Sequence, residues 1–298
     1  MTLVARRDHG LPYSKGLMAQ SLMATGLSPE RSYELAFELE RRLEVRALPS
    51  ISVEELRGMV EAVLGEREGD GAVERWRRWQ RVDRLDSPLV VLIGGTAGTG
   101  KSTLATTIAH RLGITRLTST DMIRHILRTF FAVDVMPDVH CSSFEARRAV
   151  RQLAPEGTDL DLLGFRLQAE HVASAVRALV DRAITERTPI LLEGVHLVPG
   201  LLPDDVRSRA LVVHAVLAVE DEEAHRSHFE LRGEAQARGP TARYLDSFAT
   251  IRKLQDHLVE AAEAAGVPVI RTVALDDAVA EMLGLVMAAV GVEGSRGS

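Results

Sequence analysis

The chain has 298 residues, a length that suits two domains or one large α/β domain. With 46% hydrophobic residues it can form an ordinary core, while its net charge of −6 argues against general nucleic-acid binding. Its single cysteine, Cys141, excludes an internal disulfide and suits a reducing compartment.

No membrane or export segment is recognisable in the sequence. No apolar run approaches the roughly 20 residues that span a bilayer. The N-terminal stretch MTLVARRDHG also lacks the apolar segment of a signal peptide. We therefore expect a cytoplasmic protein with neither a membrane nor a nucleic acid as its partner.

Residues 1–86 are predicted to form a mainly helical domain. Ser52 and Glu55 have the spacing of a capping box, which begins one of the helices. A basic amphipathic helix follows and contains Trp76 and Trp79. We expect both tryptophans to pack inward while the neighbouring arginines stay in solvent.

Residues 87–298 alternate between predicted strands and helices and form the second predicted domain. Strands are predicted at Val90–Ile93, Arg116–Thr118, Pro189–Glu193, Leu211–Ala218 and Val267–Thr272, and a long helix at about Asp161–Glu186. About five parallel strands with helical crossovers give a doubly wound sheet of the P-loop NTPase type. The predicted fold class is therefore α/β, with a mainly helical N-terminal domain.

The segment GGTAGTGKST directly follows the first of these strands and fits the pattern G-x-x-x-x-G-K-[ST]. Its glycines allow backbone N–H groups to face a phosphate, and the next helix presents its positive N-terminus to the same anion. Lys101 is expected to reach the β- and γ-phosphates of ATP, and Ser102 to hold Mg²⁺. The predicted nucleotide-binding residues of the loop are Gly95, Thr96, Ala97, Gly98, Thr99, Gly100, Lys101, Ser102 and Thr103.

The segment TSTDMIRHILR after the second strand begins a helix with Asp121, Arg124 and Arg128 on one face. In such sheets the active site lies beyond the carboxyl ends of the strands. Asp121 is thus a candidate to accept or orient the proton of an attacking hydroxyl. The two arginines are candidates to hold an anionic acceptor through bidentate contacts. An ordinary surface ion pair is the alternative for all three.

Two further candidates follow the third strand. Glu193 stands where a Walker B strand usually ends in Asp, and it could hold a Mg²⁺-bound water or position the nucleophile. The departure from Asp leaves these roles open. His196 is a candidate substrate-binding residue, and a structural hydrogen bond within the loop is an equal alternative.

A basic helix–loop–helix after the fourth strand is predicted to act as a kinase lid, which closes over the triphosphate. Its basic side chains are His225, Arg226, His228, Arg232, Arg238 and Arg243. Arg232 is the first choice for catalysis and Arg238 for nucleotide binding, because they bracket the glycine-containing loop. A solvated charge is the alternative for each. No His/Cys/Asp group has zinc spacing, so ATP and Mg²⁺ are the only cofactors implied.

Several stretches together resemble the 2-phosphoglycerate kinase family, in which an ATP-cone-like segment precedes a P-loop kinase domain. They are LPYSKGLMAQSLMATGL, LIGGTAGTGKST, STDMIRHILR, LLEGVHLVPG and HRSHFELR. The resemblance implies ATP-dependent conversion of 2-phosphoglycerate, a small anionic acceptor, to 2,3-bisphosphoglycerate. It also implies that Ser14 and Lys15 belong to an ATP-cone-like module, although a purely scaffolding role for residues 1–86 is an equal alternative.

The residues by themselves are also compatible with other functions. The acceptor could be an inositol phosphate, another sugar or polyol phosphate, or a nucleotide, and the chain could be a nucleotide-sensing regulatory ATPase. The apolar segment AVAEMLGLVMAAVGV could pack on the sheet or on a second subunit, so a homo-oligomer is possible.

Overall fold

The computed structural model describes most of the chain. The described residues are 3–6, 9–46, 50–82, 87–151, 154–203, 205–235, 241–271 and 274–296. They fall into two compact units, Met1–Leu85 with His110–Gly113 and Leu283–Ser298, and Asp86–Ala109 with Ile114–Met282. Each unit has its own buried apolar core.

The first unit combines helices with a small sheet. Its elements are β1 (Leu3–Arg6), β2 (His9–Pro12), α1 (Lys15–Met23), α2 (Pro29–Arg46), β3 (Ser50–Ser52), α3 (Val53–Glu68) and α4 (Asp70–Val82). Strand β1 pairs antiparallel with β2 and parallel with β3. This sheet is missing from the sequence prediction because strands of three or four residues are too short to show an alternating pattern.

Local signals account for the helices of this unit. The predicted capping box is confirmed, since the Ser52 Oγ accepts from the Glu55 amide at 3.1 Å and the Glu55 carboxylate accepts from the Ser52 amide at 3.0 Å. Trp76 is buried in the core, as expected, whereas Trp79 is only half-buried.

The remaining elements build the larger unit and the C-terminal helix. They are β4 (Leu89–Gly94), α5 (Lys101–Arg111), β5 (Leu117–Ser119), α6 (Thr120–Phe130), α7 (Leu160–Thr185), β6 (Ile190–Gly194), α8 (Asp205–Arg209), β7 (Leu211–Leu217), α9 (Glu222–Ala235), α10 (Thr241–Asp246), α11 (Phe248–Ala264), β8 (Val269–Ile270) and α12 (Leu275–Arg296). Two short 3₁₀ helices, Pro137–His140 and Ser143–Ala149, lie between α6 and α7.

The large sheet has the order β5-β6-β4-β7-β8, and all neighbouring strands are parallel. The predicted five-stranded parallel α/β sheet is therefore confirmed. Strand β4 is buried along its whole length, which explains its continuous apolar sequence. The predicted last strand, Val267–Thr272, is shorter in the structure, and Thr272 lies outside the described residues.

None of the helices in the described part of the chain combines the length and the apolarity that crossing a lipid bilayer requires.

Gly164 of α7 allows the helix to approach the second 3₁₀ helix closely. A Cβ at this position would lie 2.5 Å from the backbone carbonyl carbon and oxygen of Ala146. We expect Gly164→Ala to lower the free energy of unfolding by about 1–3 kcal/mol, because backbone atoms have to move. Urea denaturation measures the change.

Gly58 of α3 provides the matched control, because a Cβ there meets no atom within 4 Å. We expect Gly58→Ala to raise the free energy of unfolding by about 0.5–1 kcal/mol through the better helix propensity of alanine. A Gly164→Ala variant as stable as the wild-type protein would contradict the close packing of α7.

Candidate active site

The predicted phosphate loop connects β4 to α5, and all of residues 95–103 lie in this loop and the first turn of α5. Gly95 has φ +148°, which side-chain-bearing residues rarely adopt, and a Cβ there would lie 2.7 Å from the Leu217 carbonyl oxygen. The loop therefore follows a path that requires glycine and leads directly into the helix that begins at Lys101.

Strand register brings three segments to the same edge of the sheet. Ile93 of β4 and Ser119 of β5 are both paired with Glu193 of β6. The phosphate loop follows β4 and α6 follows β5, so both begin beside the Glu193 carboxylate. This is the carboxyl edge at which the sequence predicts the active site.

Glu193 is almost fully buried between two residues of the phosphate loop. Its Oε1 accepts a hydrogen bond from the Ser102 Oγ at 3.1 Å, and its Oε2 lies 4.0 Å from the Lys101 Nζ. Among the described residues, Oε2 has no hydrogen-bond partner although it is buried. A buried carboxylate oxygen beside a serine hydroxyl fits a hard divalent cation such as Mg²⁺, which prefers oxygen ligands.

Lys101 points into the loop rather than into solvent. Its side chain is only 14% exposed, and its ammonium group lies 3.4 Å from the Thr96 carbonyl oxygen. The hydroxyl of Thr99 donates to the same carbonyl at 3.0 Å. The positive charge is thereby held inside the loop, where an anion would meet it.

Asp121 lies in the first turn of α6, which Ser119 caps by accepting a hydrogen bond from the Met122 amide. Its carboxylate is 63% exposed, and its Oδ1 lies 3.4 Å from the Arg124 Nε. The first turn of the helix thus presents a carboxylate to solvent at the sheet edge.

The charge state of Asp121 follows from its neighbours. Partial burial acts to raise its pKa, while the positive charges of Arg124 and Lys101 act to lower it and prevail. The pKa therefore lies below the ordinary value, and Asp121 is an ionised carboxylate at neutral pH. Because the group is well exposed, solvent screens these interactions.

The structure places Arg124 and Arg128 differently. Arg124 is nearly buried, and its Nη1 donates to the carbonyl oxygens of Val139 and Cys141 at 3.1 and 2.9 Å. It therefore ties α6 to the 3₁₀ segment and holds Asp121 in place. Arg128 lies one turn further along and is exposed.

His196 is buried and has both ring nitrogens engaged. Its Nδ1 lies 2.8 Å from the Thr120 Oγ1 and its Nε2 lies 2.9 Å from the Gln168 Oε1. The Gln168 amide nitrogen donates to the Asp138 and Cys141 carbonyl oxygens, so its oxygen faces His196. The His196 Nε2 consequently carries the hydrogen, and the Thr120 hydroxyl donates to Nδ1.

These hydrogen bonds favour the structural alternative for His196. Burial lowers its pKa to about 4, so the imidazole is neutral at physiological pH. It orients Thr120 at the start of α6, next to Asp121. Nothing in the sequence signals Gln168, because it lies in a helix 28 residues before His196.

The two lid arginines chosen from the sequence cannot be placed in the site. Arg238 lies outside the described residues, as does the side chain of Arg232, whose backbone belongs to α9. Two histidines of the same segment, His225 and His228, do contact the phosphate loop. The sequence alone indicates these two histidines only as basic residues of the predicted lid.

Known proteins resemble this chain along most of its length. The 2-phosphoglycerate kinase of Methanococcus maripaludis strain C7 is 37% identical over 287 residues, which are 95% of this chain and 91% of that protein. The chain belongs to the 2-phosphoglycerate kinase family. The 2-phosphoglycerate kinase of Methanopyrus kandleri is 36% identical over 94% of this chain and 85% of that protein.

Neither protein-family models nor solved structures add to this assignment. No protein-family model matches the chain. Among solved structures, a gluconokinase from Sinorhizobium meliloti 1021 has a TM-score of 0.42 at 16% identity, over 70% of this chain and 97% of that one, which is too distant to support an argument.

The protein is therefore a kinase, that is, a phosphotransferase. Its class implies ATP as the phosphoryl donor, usually together with a divalent metal ion. The phosphate loop, Glu193 and Asp121 form the part of the described structure that can serve this chemistry.

The buried His196 predicts acid sensitivity of this kinase. Its pKa is about 4 in the folded protein and about 6.5 in an unfolded chain. Between these values only the unfolded state binds the proton, so the free energy of unfolding falls as the pH falls. We expect a smaller fall between about pH 7 and about pH 5 in His196→Gln, measured by urea denaturation.

His214 is half-buried, and desolvation lowers its pKa to about 4 as well, so it adds a parallel contribution in both proteins. The exposed His125 of α6 provides the control, and His125→Gln should keep the wild-type slope. A His196→Gln variant with the wild-type slope would show that His196 already takes up a proton at its ordinary pKa in the folded state.

Proposed function

We propose that this kinase transfers the γ-phosphoryl group of ATP to the free hydroxyl of 2-phosphoglycerate, producing 2,3-bisphosphoglycerate and ADP. The observation that carries the proposal is the cluster of Lys101, Ser102 and Glu193 at the phosphate loop, with Asp121 at the same edge of the sheet. The relatives that are similar over nearly the whole chain carry the name of this activity.

The phosphate loop binds the donor in this proposal. Its backbone N–H groups and the N-terminus of α5 surround the phosphates, and the Lys101 ammonium contacts the β- and γ-phosphates. Ser102 and Glu193 would hold Mg²⁺, the Ser102 hydroxyl directly and Glu193 through its unpartnered oxygen. A Mg²⁺ ion held by these two residues would neutralise the negative charge that develops on the phosphates.

Asp121 orients the acceptor hydroxyl and receives its proton. The acceptor oxygen forms a bond to the γ-phosphorus while the bond to the β–γ bridging oxygen breaks, and ADP leaves with that electron pair. A carboxylate with a low pKa is a weak base. Its main contribution is therefore to hold the hydroxyl in line, and the proton moves as the new bond forms.

The anionic groups of the acceptor require positive partners. We assign this role to the exposed Arg128. Arg124 contributes indirectly, because its guanidinium lies beside Asp121 and holds that carboxylate in place. His196 acts on the acceptor site only indirectly, because it orients Thr120. Arg232 and Arg238 keep their assigned roles on the transferring phosphoryl group and the nucleotide.

The domain division is also part of the proposal. Residues 87–298 would form the kinase domain and residues 1–86 an ATP-cone-like domain. In the latter, Ser14 caps α1 by accepting from the Leu17 amide, and Lys15 pairs with Glu40 at 3.0 Å. Both motif residues thus organise the start of the first helix.

ADP release with Mg-ATP tests the function directly. We expect 2-phosphoglycerate to stimulate ADP release strongly and 3-phosphoglycerate to stimulate it weakly. Lys101→Ala should lower the stimulated rate by about 10²–10³-fold, because a preorganised charge on the transferring group is lost. Thr106→Ala, an exposed change on the same helix, should keep the wild-type rate.

Stimulation by inositol phosphates, sugar phosphates or nucleotides instead of 2-phosphoglycerate would overturn the acceptor assignment. Wild-type turnover in Lys101→Ala would overturn the nucleotide site itself. ATP binding without phosphorylation of any acceptor would point to a regulatory ATPase.

Asp121→Asn separates positioning of the acceptor from binding of the donor. We expect kcat to fall by about 10²–10⁴-fold with little change in the KM for ATP, because an uncharged amide holds the hydroxyl in line less firmly and cannot receive its proton. Steady-state kinetics with both substrates varied measures the effect. Asp134→Asn, at a well-exposed carboxylate after α6, is the matched control. Normal turnover in Asp121→Asn would contradict the assigned role.

A further inference from the structure

Helix α9 holds the phosphate loop from its outer side through two histidines. The His225 Nε2 lies 2.8 Å from the Ala97 carbonyl oxygen, and the His228 Nδ1 lies 2.8 Å from the Gly98 carbonyl oxygen. A carbonyl oxygen can only accept, so each of these ring nitrogens carries a hydrogen and donates it. Consecutive peptide groups of the loop are thus bound by consecutive turns of one helix.

The tautomer of His225 is determined by its surroundings. The Arg252 Nη1 lies 3.5 Å from the His225 Nδ1, and a guanidinium can only donate, so Nδ1 accepts and Nε2 carries the hydrogen. Arg252 is itself held by donating to the Val219 and Glu220 carbonyl oxygens. Burial of the His225 ring lowers its pKa and keeps it neutral.

The phosphate loop and helix α9 pack closely against each other. The His225 ring is fully buried, stacks on Phe229 with centroids 5.5 Å apart and meets Phe248 edge-on at 5.4 Å. A Cβ on Gly98 would lie 2.6 Å from the Phe229 ring and 3.0 Å from the His225 ring. The loop backbone therefore rests directly on this aromatic cluster.

Because each peptide group is planar, these two hydrogen bonds also determine where two N–H groups of the loop point. In a trans peptide the C=O and N–H groups point in opposite directions. The Ala97 carbonyl shares its peptide plane with the Gly98 N–H, and the Gly98 carbonyl with the Thr99 N–H. Carbonyls directed at α9 thus direct both N–H groups away from α9, to the inner side of the loop.

We propose that His225 and His228 are positioning residues for nucleotide binding, because they orient the N–H groups of Gly98 and Thr99 toward the phosphates. The inference rests on the proposed nucleotide site in the loop. Both histidines bind the loop that is proposed to hold the donor, so we expect the effect on donor affinity and not on the acceptor.

Amide side chains provide variants that separate hydrogen bonding from packing. A glutamine amide nitrogen reaches about as far as a histidine Nε2, and an asparagine amide nitrogen about as far as a histidine Nδ1. His225→Gln and His228→Asn therefore retain the donor, whereas His225→Asn and His228→Gln misplace it. His225→Leu and His228→Leu remove it altogether.

The measurement is the Kd of a non-hydrolysable ATP analogue with Mg²⁺, determined by calorimetry on the full chain without acceptor. We expect the leucine and misplaced-amide variants to bind about tenfold more weakly, since each leaves a part-buried carbonyl unpaired and no longer fixes the direction of the adjoining N–H group. His225→Gln and His228→Asn should bind within about threefold of the wild-type protein. At saturating ATP, the KM for the acceptor should stay unchanged.

Two controls make every outcome decisive. Glu223→Gln, an exposed change on α9, should bind as the wild-type protein does, and Lys101→Ala should bind more weakly. Unchanged binding in Lys101→Ala would refute the nucleotide site. Weaker binding in Lys101→Ala with unchanged binding in all histidine variants would refute the positioning role alone. Equal losses in retained and misplaced amides would assign the histidines to packing and overturn the inference.

Discussion

A carboxylate buried at the end of a central strand needs a positive charge or a hydrogen-bond donor beside it, because an unpaired buried charge costs several kcal/mol. Glu193 finds both in Lys101 and Ser102, which are adjacent residues of one loop. This pairing links β6 to the loop that follows β4. One of its carboxylate oxygens has no hydrogen-bond partner among the described residues, so part of the desolvation cost is not offset there.

A second layer of polar contacts supports Asp121, the residue proposed to act on the acceptor. Arg124 donates to the carbonyl oxygens of Val139 and Cys141, and His196 accepts from Thr120, so both side chains fix the start of α6. Asp121 consequently stands on a helix whose first turn is fixed from beneath. Such support matters because displacing a reacting group by about 1 Å greatly lowers the reaction rate.

Much of this architecture could be predicted because its signals are local. The apolar run of β4, the loop glycines and Lys101 are adjacent in sequence, and parallel strands bring Asp121 and Glu193 to one edge. The contacts of His225 and Gln168 could not be predicted, since their partners lie 128 and 28 residues away and depend on how helices pack. For the same reason the burial of Arg124 cannot be predicted from helical periodicity.

The attachment of α9 to the loop has a consequence for the thermodynamics of ligand capture. Ordering a flexible peptide unit costs about 1–2 kcal/mol of conformational entropy. Here two such units are ordered by folding itself, so an arriving anion meets donors that are already aligned. In the proposed nucleotide site the loop would thus be a receptor whose shape is already set by the aromatic core that it packs against.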